Sequence, residues 1–579
     1  MRLQASLVAF VILSGSAHAQ RVPPLTPERL QQLAPPEEPR LAPALRPAVP
    51  EATRGPNEQV RVRIVAVRFT GNEALPESRL LSLLQPMVGQ EVPLAAIEDA
   101  RIRLISAYGQ AGYPFVTASA GLTPRDGGAE LTLSVVEGHI ASVKLDGDIG
   151  PAGTQVLRFL EPLASGGPVT TSRLERALLL AGDIPGVSLR SVVRPLQGGD
   201  AGALELVAQL QRQAVSGYLS VDNRGYRLTG PVQGILTVGA NSFTSLGERI
   251  EATLFQTQDW EQSFGQITGE TFLGGSGLRA RAYAGHGVAN PGGVLAAIGY
   301  QGITTVAGLA AQYPIVRSRP LNLFAGAQFD YLDSEVQVGK PGSRQSLDQV
   351  RTLRFGFDGN ALDTLIGFAP APATNTASIR VHQGTAWLGA TSASNNPGPA
   401  RLGSDFGFTR WTGEASRTQP VWAPSDRLLL SVFGLVAGQH SDDVLPLSEK
   451  FLLGGNRLGR GFYAGQVTGD SGFGATIELQ LDVRPPPFQM PGFTGELAEV
   501  NPTAQFYLFR DHGRTWENLQ TDPDRTIESW GGGVRMFLAE NLQLDVEAVR
   551  RMTRRVDASS GSGPSLAETA GFFRLFTRF

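Results

Sequence analysis

The chain has 579 residues, more than one domain usually holds, with 18% charged residues, a formal net charge of -3 and 69 glycines. That balance shows no basic patch or stripe of the kind nucleic-acid binders carry, so no nucleic-acid partner is expected. Cysteine is absent, which excludes disulfides, thiolate zinc sites and cysteine nucleophiles; the six histidines are scattered without ligand-like pairing.

Residues 1–19 read as a secretory signal. Arg2 supplies the positive end, residues 7–13 the apolar core, and Ala17-His-Ala19 a small-residue cleavage site, so the mature chain is expected to start at Gln20. No later run reaches the ~18 apolar residues of a membrane helix. An exported chain that enters a membrane without such a helix must enter as a barrel. Residues 20–60 form a proline-rich linker. Within it, residues 26–33 fit a short helix with Thr26 as N-cap and Pro27 in the first turn. So short a helix is unstable alone in water and needs a surface to order against.

Residues 61–139 read β-α-α-β-β. The strand at 63–70 is followed by helices at 76–84 and 94–110 and strands at 115–120 and 130–136. Leu94, Ile97, Ala100, Leu104 and Tyr108 fall at helical spacing on one face. Residues 140–212 repeat the order, with the turn Ile184-Pro-Gly-Val187 before the last two strands. Two small α+β domains with exposed sheet edges suit strand addition by an extended peptide. Neither carries a clustered acid, base and nucleophile.

From residue 213 helical spacing vanishes, and short alternating segments alternate with Gly, Asn, Asp and Ser. Ile477, Leu479, Leu481 and Val483 lie on one face of a strand; Glu478, Gln480, Asp482 and Arg484 lie on the other. At ~10 residues per strand plus turns, residues 213–579 accommodate about sixteen strands of a transmembrane antiparallel barrel. Between two such strands lies a loop too rich in glycine for a helix and too irregular for a strand. It runs from Phe451 through Gly454 and Gly455 to Arg460, Gly461, Phe462 and Tyr463. One cation flanked by Gly459 and Gly461 marks a shaped loop that carries its charge to a defined place. Asp511 shares parity with Gln505, Tyr507 and Phe509 on a strand at 503–511, which aims it at the lumen near one end of that strand. A buried carboxylate needs a partner, and Arg460 is the natural one. The chain ends in an alternating segment that closes with Phe579.

In this order the chain resembles the outer-membrane transporters of two-partner secretion, which export haemolysins and filamentous adhesins. The resemblance rests on the two β-α-α-β-β units, similar to that family's periplasmic polypeptide-transport-associated domains, and on the Leu178–Val187 turn, Asp222-Asn-Arg-Gly225 and the loop Phe451-Leu-Leu-Gly-Gly455 with Arg460-Gly-Phe462. It rests also on Phe509-Arg-Asp511-His-Gly513 and on Phe579. It implies a lumen-loop motif of Gly454, Gly455, Arg460, Gly461 and Phe462, and a barrel-wall partner motif of Phe509, Asp511 and Gly513. Phe579 is the implied assembly signal. It implies an outer-membrane location with periplasmic N-terminal domains, an unfolded secreted exoprotein as cargo, and membrane lipid and the barrel assembly machinery as further partners. No cofactor, metal or catalytic residue is implied. Two departures stand out: Gly459 replaces the family's usual larger apolar residue, and the plug helix is represented only by residues 26–33. The alternatives are an assembly factor of the same superfamily, a passive solute channel and a barrel enzyme. Six histidines in no nucleophile–base arrangement speak against the last, and no Gly-x-x-x-x-Gly-Lys loop offers an ATP site.

Overall fold

The computed structural model describes residues 24–33 and 60–579, apart from 340–342, 393–394, 487, 492–496, 501, 540 and 557–564. The stretch expected to be a secretory signal, residues 1–19, and most of the expected linker lie outside the described residues.

Helix α1 (Pro27–Leu33) is followed by the first small domain. Its elements are β1 (Arg61–Thr70), α2 (Glu77–Leu84), β2 (Glu91–Pro93), α3 (Leu94–Gln110), β3 (Val116–Arg125) and β4 (Gly128–Glu137). The sheet order is β2-β1-β4-β3, with β1 and β4 parallel. Leu80, Leu84, Leu104 and Tyr108 of the helices pack on Ile64, Leu131 and Leu133 of the sheet. The three-residue β2 was not in the sequence reading. It pairs with β1 and moves the free edge of the sheet one strand outward. The second domain keeps the simpler order: β5 (His139–Asp146), α4 (Gly153–Leu160), α5 (Thr171–Gly182), β6 (Val187–Pro195) and β7 (Ala203–Arg212).

Sixteen antiparallel strands then close into a barrel. They are β8 (Val215–Asp222), β9 (Gln233–Asn241), β10 (Arg249–Thr257), β11 (Gln262–Phe272), β12 (Arg279–Ala289), β13 (Gln301–Arg317), β14 (Leu321–Gln337) and β15 (Arg344–Asp363). The second half comprises β16 (Ala373–Gly384), β17 (Thr409–Ser425), β18 (Leu428–His440), β21 (Ser471–Val483), β24 (Thr503–Trp516), β25 (Arg525–Ala539), β26 (Leu542–Arg551) and β27 (Thr569–Arg578). Two short ribbons stand outside the wall: β19 (Phe451–Leu453) with β20 (Val467–Gly469), and β22 (Phe488–Pro491) with β23 (Leu497–Val500). Along each wall strand one face is apolar and exposed, as at Ile267, Leu309, Ile477 and Leu508, which is the lipid face of a membrane barrel. The other face is turned inward and mixes buried polar groups with apolar ones such as Phe255, Phe264 and Phe509.

The second domain is docked on the end of the barrel where β7 runs into β8. Phe272 of β11 joins the domain's own core and meets Phe159 edge-on at 5.2 Å. Arg317 at the end of β13 pairs with Asp183 at 2.6 Å, and Arg176 donates to the Pro314 carbonyl at 2.9 Å. This end is the mouth that carries the small domains.

The sequence reading cut several strands short. It ended the Asp511 strand at Asp511 itself; β24 continues to Trp516, so Asp511 sits well inside the wall and not near an end. The outward face of the last segment carries Arg510, His512 and Arg514, whose polarity hid the apolar/polar alternation there. The glycine loop likewise contains a two-stranded ribbon that its composition did not announce.

Candidate functional site: the lumen loop and its anchors

The connection from β18 to β21 enters at the mouth opposite the small domains and folds back into the lumen. The ribbon β19–β20 forms its neck, with Phe451↔Gly469, Leu452↔Thr468 and Leu453↔Val467 paired. Leu453, Phe462 and Val467 pack with Ile527 of the wall in a closed apolar cluster. Gly454 has φ +103°, and a Cβ there would lie 2.0 Å from the Tyr463 carbonyl oxygen, so the turn beyond the neck admits only glycine. Gly455 donates its N–H to the Phe462 carbonyl at 3.0 Å. Gly513 on β24 leaves room for Leu453; a Cβ would come within 2.7 Å of it.

This fold delivers Arg460 to the wall. Its backbone N–H donates to Asp511 Oδ2 at 2.7 Å, its Nε to the same oxygen at 3.3 Å and its Nη2 to Oδ1 at 3.1 Å. The guanidinium lies 3.6 Å above the Phe509 ring. Arg460 and Asp511 therefore meet, but not as an isolated pair. Nη1 bonds Glu478 of β21, and Nη2 donates to Thr476 Oγ1 at 2.8 Å. Glu478 is shared with Arg535 of β25 at 2.6 Å, and Arg535 stacks 3.9 Å from the Tyr507 ring. Two guanidiniums thus face two carboxylates, with Arg460, Glu478 and Asp511 all buried. A buried carboxylate is tolerated where it is paired and fully hydrogen-bonded, and both are here. Arg551 of β26 fixes the next residue by donating to the Gly461 carbonyl at 2.5 Å. The arrangement holds a loop; it presents no nucleophile and base.

A second cluster holds the neck. Arg401, in the β16–β17 connection, donates to Asp470 at 2.6 and 3.0 Å. It also reaches Glu517 at 2.9 Å and Asp522 at 3.1 Å in the β24–β25 connection. Lys450, just before the neck, pairs with Glu517 at 2.7 Å. Burial alone would raise the Asp470 carboxyl. The Arg401 guanidinium and the N–H groups of Asn518 and Leu445 outweigh it and hold Asp470 below the usual carboxylate range. At Glu517 burial wins over Lys450 and Arg401, and its carboxyl is pushed up.

The third element in the lumen is α1. Thr26 caps it, accepting from the Arg29 N–H at 3.4 Å. Leu25 and Leu30 are buried among Ile235, Phe255, Phe264 and Tyr283 of the inward wall. Glu28 pairs with Arg354 of β15 and, at 3.4 Å, with Arg410 of β17. The surface that orders this seven-residue helix is the inside of its own barrel, which the sequence reading had left open. A cavity of about 530 Å³ remains between α1, the loop and the wall.

Phe579 lies at the seam. It exchanges backbone hydrogen bonds with Gly217 at 2.9 and 3.1 Å. The β27–β8 ladder next to it has five residue pairs, from Arg574↔Asp222 to Arg578↔Tyr218, and the Asn223 side chain bridges beyond it to Gly571 and Phe573.

Sequence reasoning named Arg460 and Asp511 but missed Glu478, Thr476, Arg535, the Arg401 cluster and the seat of Glu28. The parity of residues 477–484 had put Glu478 on the wet face; nothing in the sequence showed which cation it would face.

A family model described as haemolysin secretion/activation protein ShlB/FhaC/HecB matches residues 367–536, and a ShlB-type POTRA domain model matches residues 62–138. The chain is 21% identical over 519 residues to the heme/hemopexin transporter protein HuxB of Haemophilus influenzae strain 86-028NP, covering 85% of this chain and 84% of that one. Its fold is similar to that of CdiB from Escherichia coli, with a TM-score of 0.69 at 17% identity over 93% of this chain and 94% of that chain. CdiB from Acinetobacter baumannii is similar with a TM-score of 0.60 at 16% identity, covering 100% of this chain and 96% of that chain.

Proposed function

We propose that this chain, which matches the haemolysin secretion/activation family model over residues 367–536 and the ShlB-type POTRA model over residues 62–138, moves one unfolded exoprotein from the periplasm to the cell surface. The barrel spans the outer membrane, and the two small domains lie in the periplasm. The single observation that carries the transport reading is the filling of the lumen. A sixteen-stranded wall encloses two elements of its own chain, α1 and the Arg460 loop, each attached by a few side chains. A passive solute channel has no need of a lumen filled in this way. The free edges at β2, β3, β5 and β6 offer backbone hydrogen bonds to an extended segment of cargo at the periplasmic mouth. Transport uses no nucleotide; folding of the cargo outside supplies the direction. The chain does no covalent chemistry on its cargo, and the barrel assembly machinery inserts it into the membrane.

The test pairs this chain with the large secreted protein encoded by a neighbouring reading frame. Cells carrying both should release that protein into the medium. Cells lacking this chain should keep it in the periplasm or degrade it. Equal release with and without this chain would remove the reading.

A further inference from the structure

The seat of Glu28 has a property the plug alone does not explain. Arg354 and Arg410 are fixed independently of α1. Arg354 Nε lies 2.7 Å from Asp330, and Arg410 lies 2.6 Å from Glu449. Arg410 also donates to Gln439 Oε1 at 2.7 Å and to the Glu449 carbonyl at 3.0 Å. The seat is therefore prebuilt, and α1 adds a carboxylate to it from the lumen side.

The charges around the seat do not balance without that carboxylate. Of the other cations on the same cavity, Arg29 belongs to α1 itself and leaves with it; on the wall and loop, Arg279 pairs with Glu270, Arg380 with Asp358, Arg457 with Glu414 and Lys450 with Glu517. Arg281 lines the cavity too, and among the described residues it has no carboxylate in ion-pair reach; its Nε finds no hydrogen-bond acceptor. Three guanidiniums, Arg281, Arg354 and Arg410, thus face two wall carboxylates, Asp330 and Glu449. Glu28 is the third. When α1 withdraws, one positive charge is left uncovered on a concave wall, which attracts anions to that spot.

We propose that the Arg281–Arg354–Arg410 face is a carboxylate-binding station for the exported chain, at which acidic side chains of an unfolded polypeptide take the place of Glu28. The proposal rests on the transport reading and adds a chemical preference to it. Guanidinium–carboxylate pairs are short and charge-assisted. In a wet lumen each is weak enough to be released, so a passing acid is held briefly and handed on. The same station gives the plug a displacing agent, because an acidic segment and Glu28 compete for the same two arginines.

The test places the full chain in planar bilayers and adds unstructured peptides to the periplasmic side. One is a Gly/Ser peptide with glutamate at every fourth position; the other carries lysine there instead. The glutamate peptide should interrupt or alter the current at a concentration at least about tenfold lower than the lysine peptide, the scale set by one charged hydrogen bond. Arg354→Gln with Arg410→Gln should abolish that preference. Glu28→Gln, which vacates the seat while leaving its arginines, should sharpen it. Equal action of the two peptides, or a preference that survives the double substitution, would overturn the station. The peptide comparison needs no variant, so it decides the matter even where the double variant fails to insert. Secretion of the exoprotein is scored separately. Normal secretion without charge preference sinks the station alone; charge preference without secretion leaves a carboxylate site and sinks the transport reading.

Discussion

Arg460 is held by Asp511, Glu478 and Thr476 at once, so its removal strands the buried Asp511 carboxylate and takes from Glu478 one of its two guanidinium partners, leaving Arg535. Arg460→Ala should destabilise the loop's inner position by about 3–5 kcal/mol, the cost of breaking a buried pair. The wall's own ladder is untouched, so membrane levels should stay normal while secreted cargo falls. Asp511→Ala should resemble it, and the double variant should lose less than the sum, because both remove one interaction. Membrane and medium levels for the three variants check this, and full additivity would contradict it. Gly459 gives a sharper test. It stands at φ +73°, and a Cβ would lie 2.5 Å from Ile527 Cδ1, so the larger side chain usual in the family does not fit this backbone. Gly459→Val should therefore block secretion as strongly as Arg460→Ala, and normal secretion by that variant would mean the loop adopts another conformation.

The neck cluster responds to pH with a definite sign. Asp470 is depressed below its unfolded value, so it stabilises the fold above that value and loses this contribution as pH falls through its folded one. Glu517 is raised, so it takes its proton first and its ionised form is the costly one at neutral pH. The thermal midpoint of the wild type should drop once pH falls below about 4, the ordinary aspartate range. Asp470→Asn should lower the midpoint at pH 7 and flatten that acid slope, and Glu517→Gln should cost less at pH 7. A wild-type midpoint that does not change between pH 7 and pH 3 would contradict the assignment.

At the scale of elements, helices and strands were legible in unequal measure. The face Ile97, Ala100, Leu104 and Tyr108 is buried as its spacing required, because a helix buries one stripe against one sheet. Strand tops were illegible for a physical reason: above Leu508 the outward face of β24 turns to Arg510, His512 and Arg514, and a segment polar on both faces carries no period. The place of α1 was also beyond sequence reasoning, since its partners Arg354 and Arg410 lie 326 and 382 residues away. The same limit hid Glu478: its face could be read, but the register that brings it under Arg460 belongs to the closed wall. The second small domain meets the barrel through Phe159, Asp183 and Arg176, yet the wall closes without either domain. Deleting residues 61–212 should leave an inserted barrel and abolish export. Undiminished secretion by the truncated chain would make these domains mere spacers.

For the whole molecule the wall is the stable unit. A closed ladder of sixteen strands has no free edge from which to unravel. The protein should partition with outer membranes and migrate faster on gels unheated than boiled. Recovery of the folded protein in the soluble periplasmic fraction would contradict the barrel.

Enclosure also sets an order of events. In the chain, α1 precedes every strand of the wall, and β27, which shuts the wall against β8, comes after all the others. Until those two strands meet there is no inside for the helix to occupy, and its seat on β15 and β17 faces no lumen. Contacts so distant in sequence form slowly, since the loops they close are long. The helix must therefore be captured during closure or threaded in afterwards. Timing at the seam thus decides whether a newly made copy arrives sealed or as a hole in the membrane.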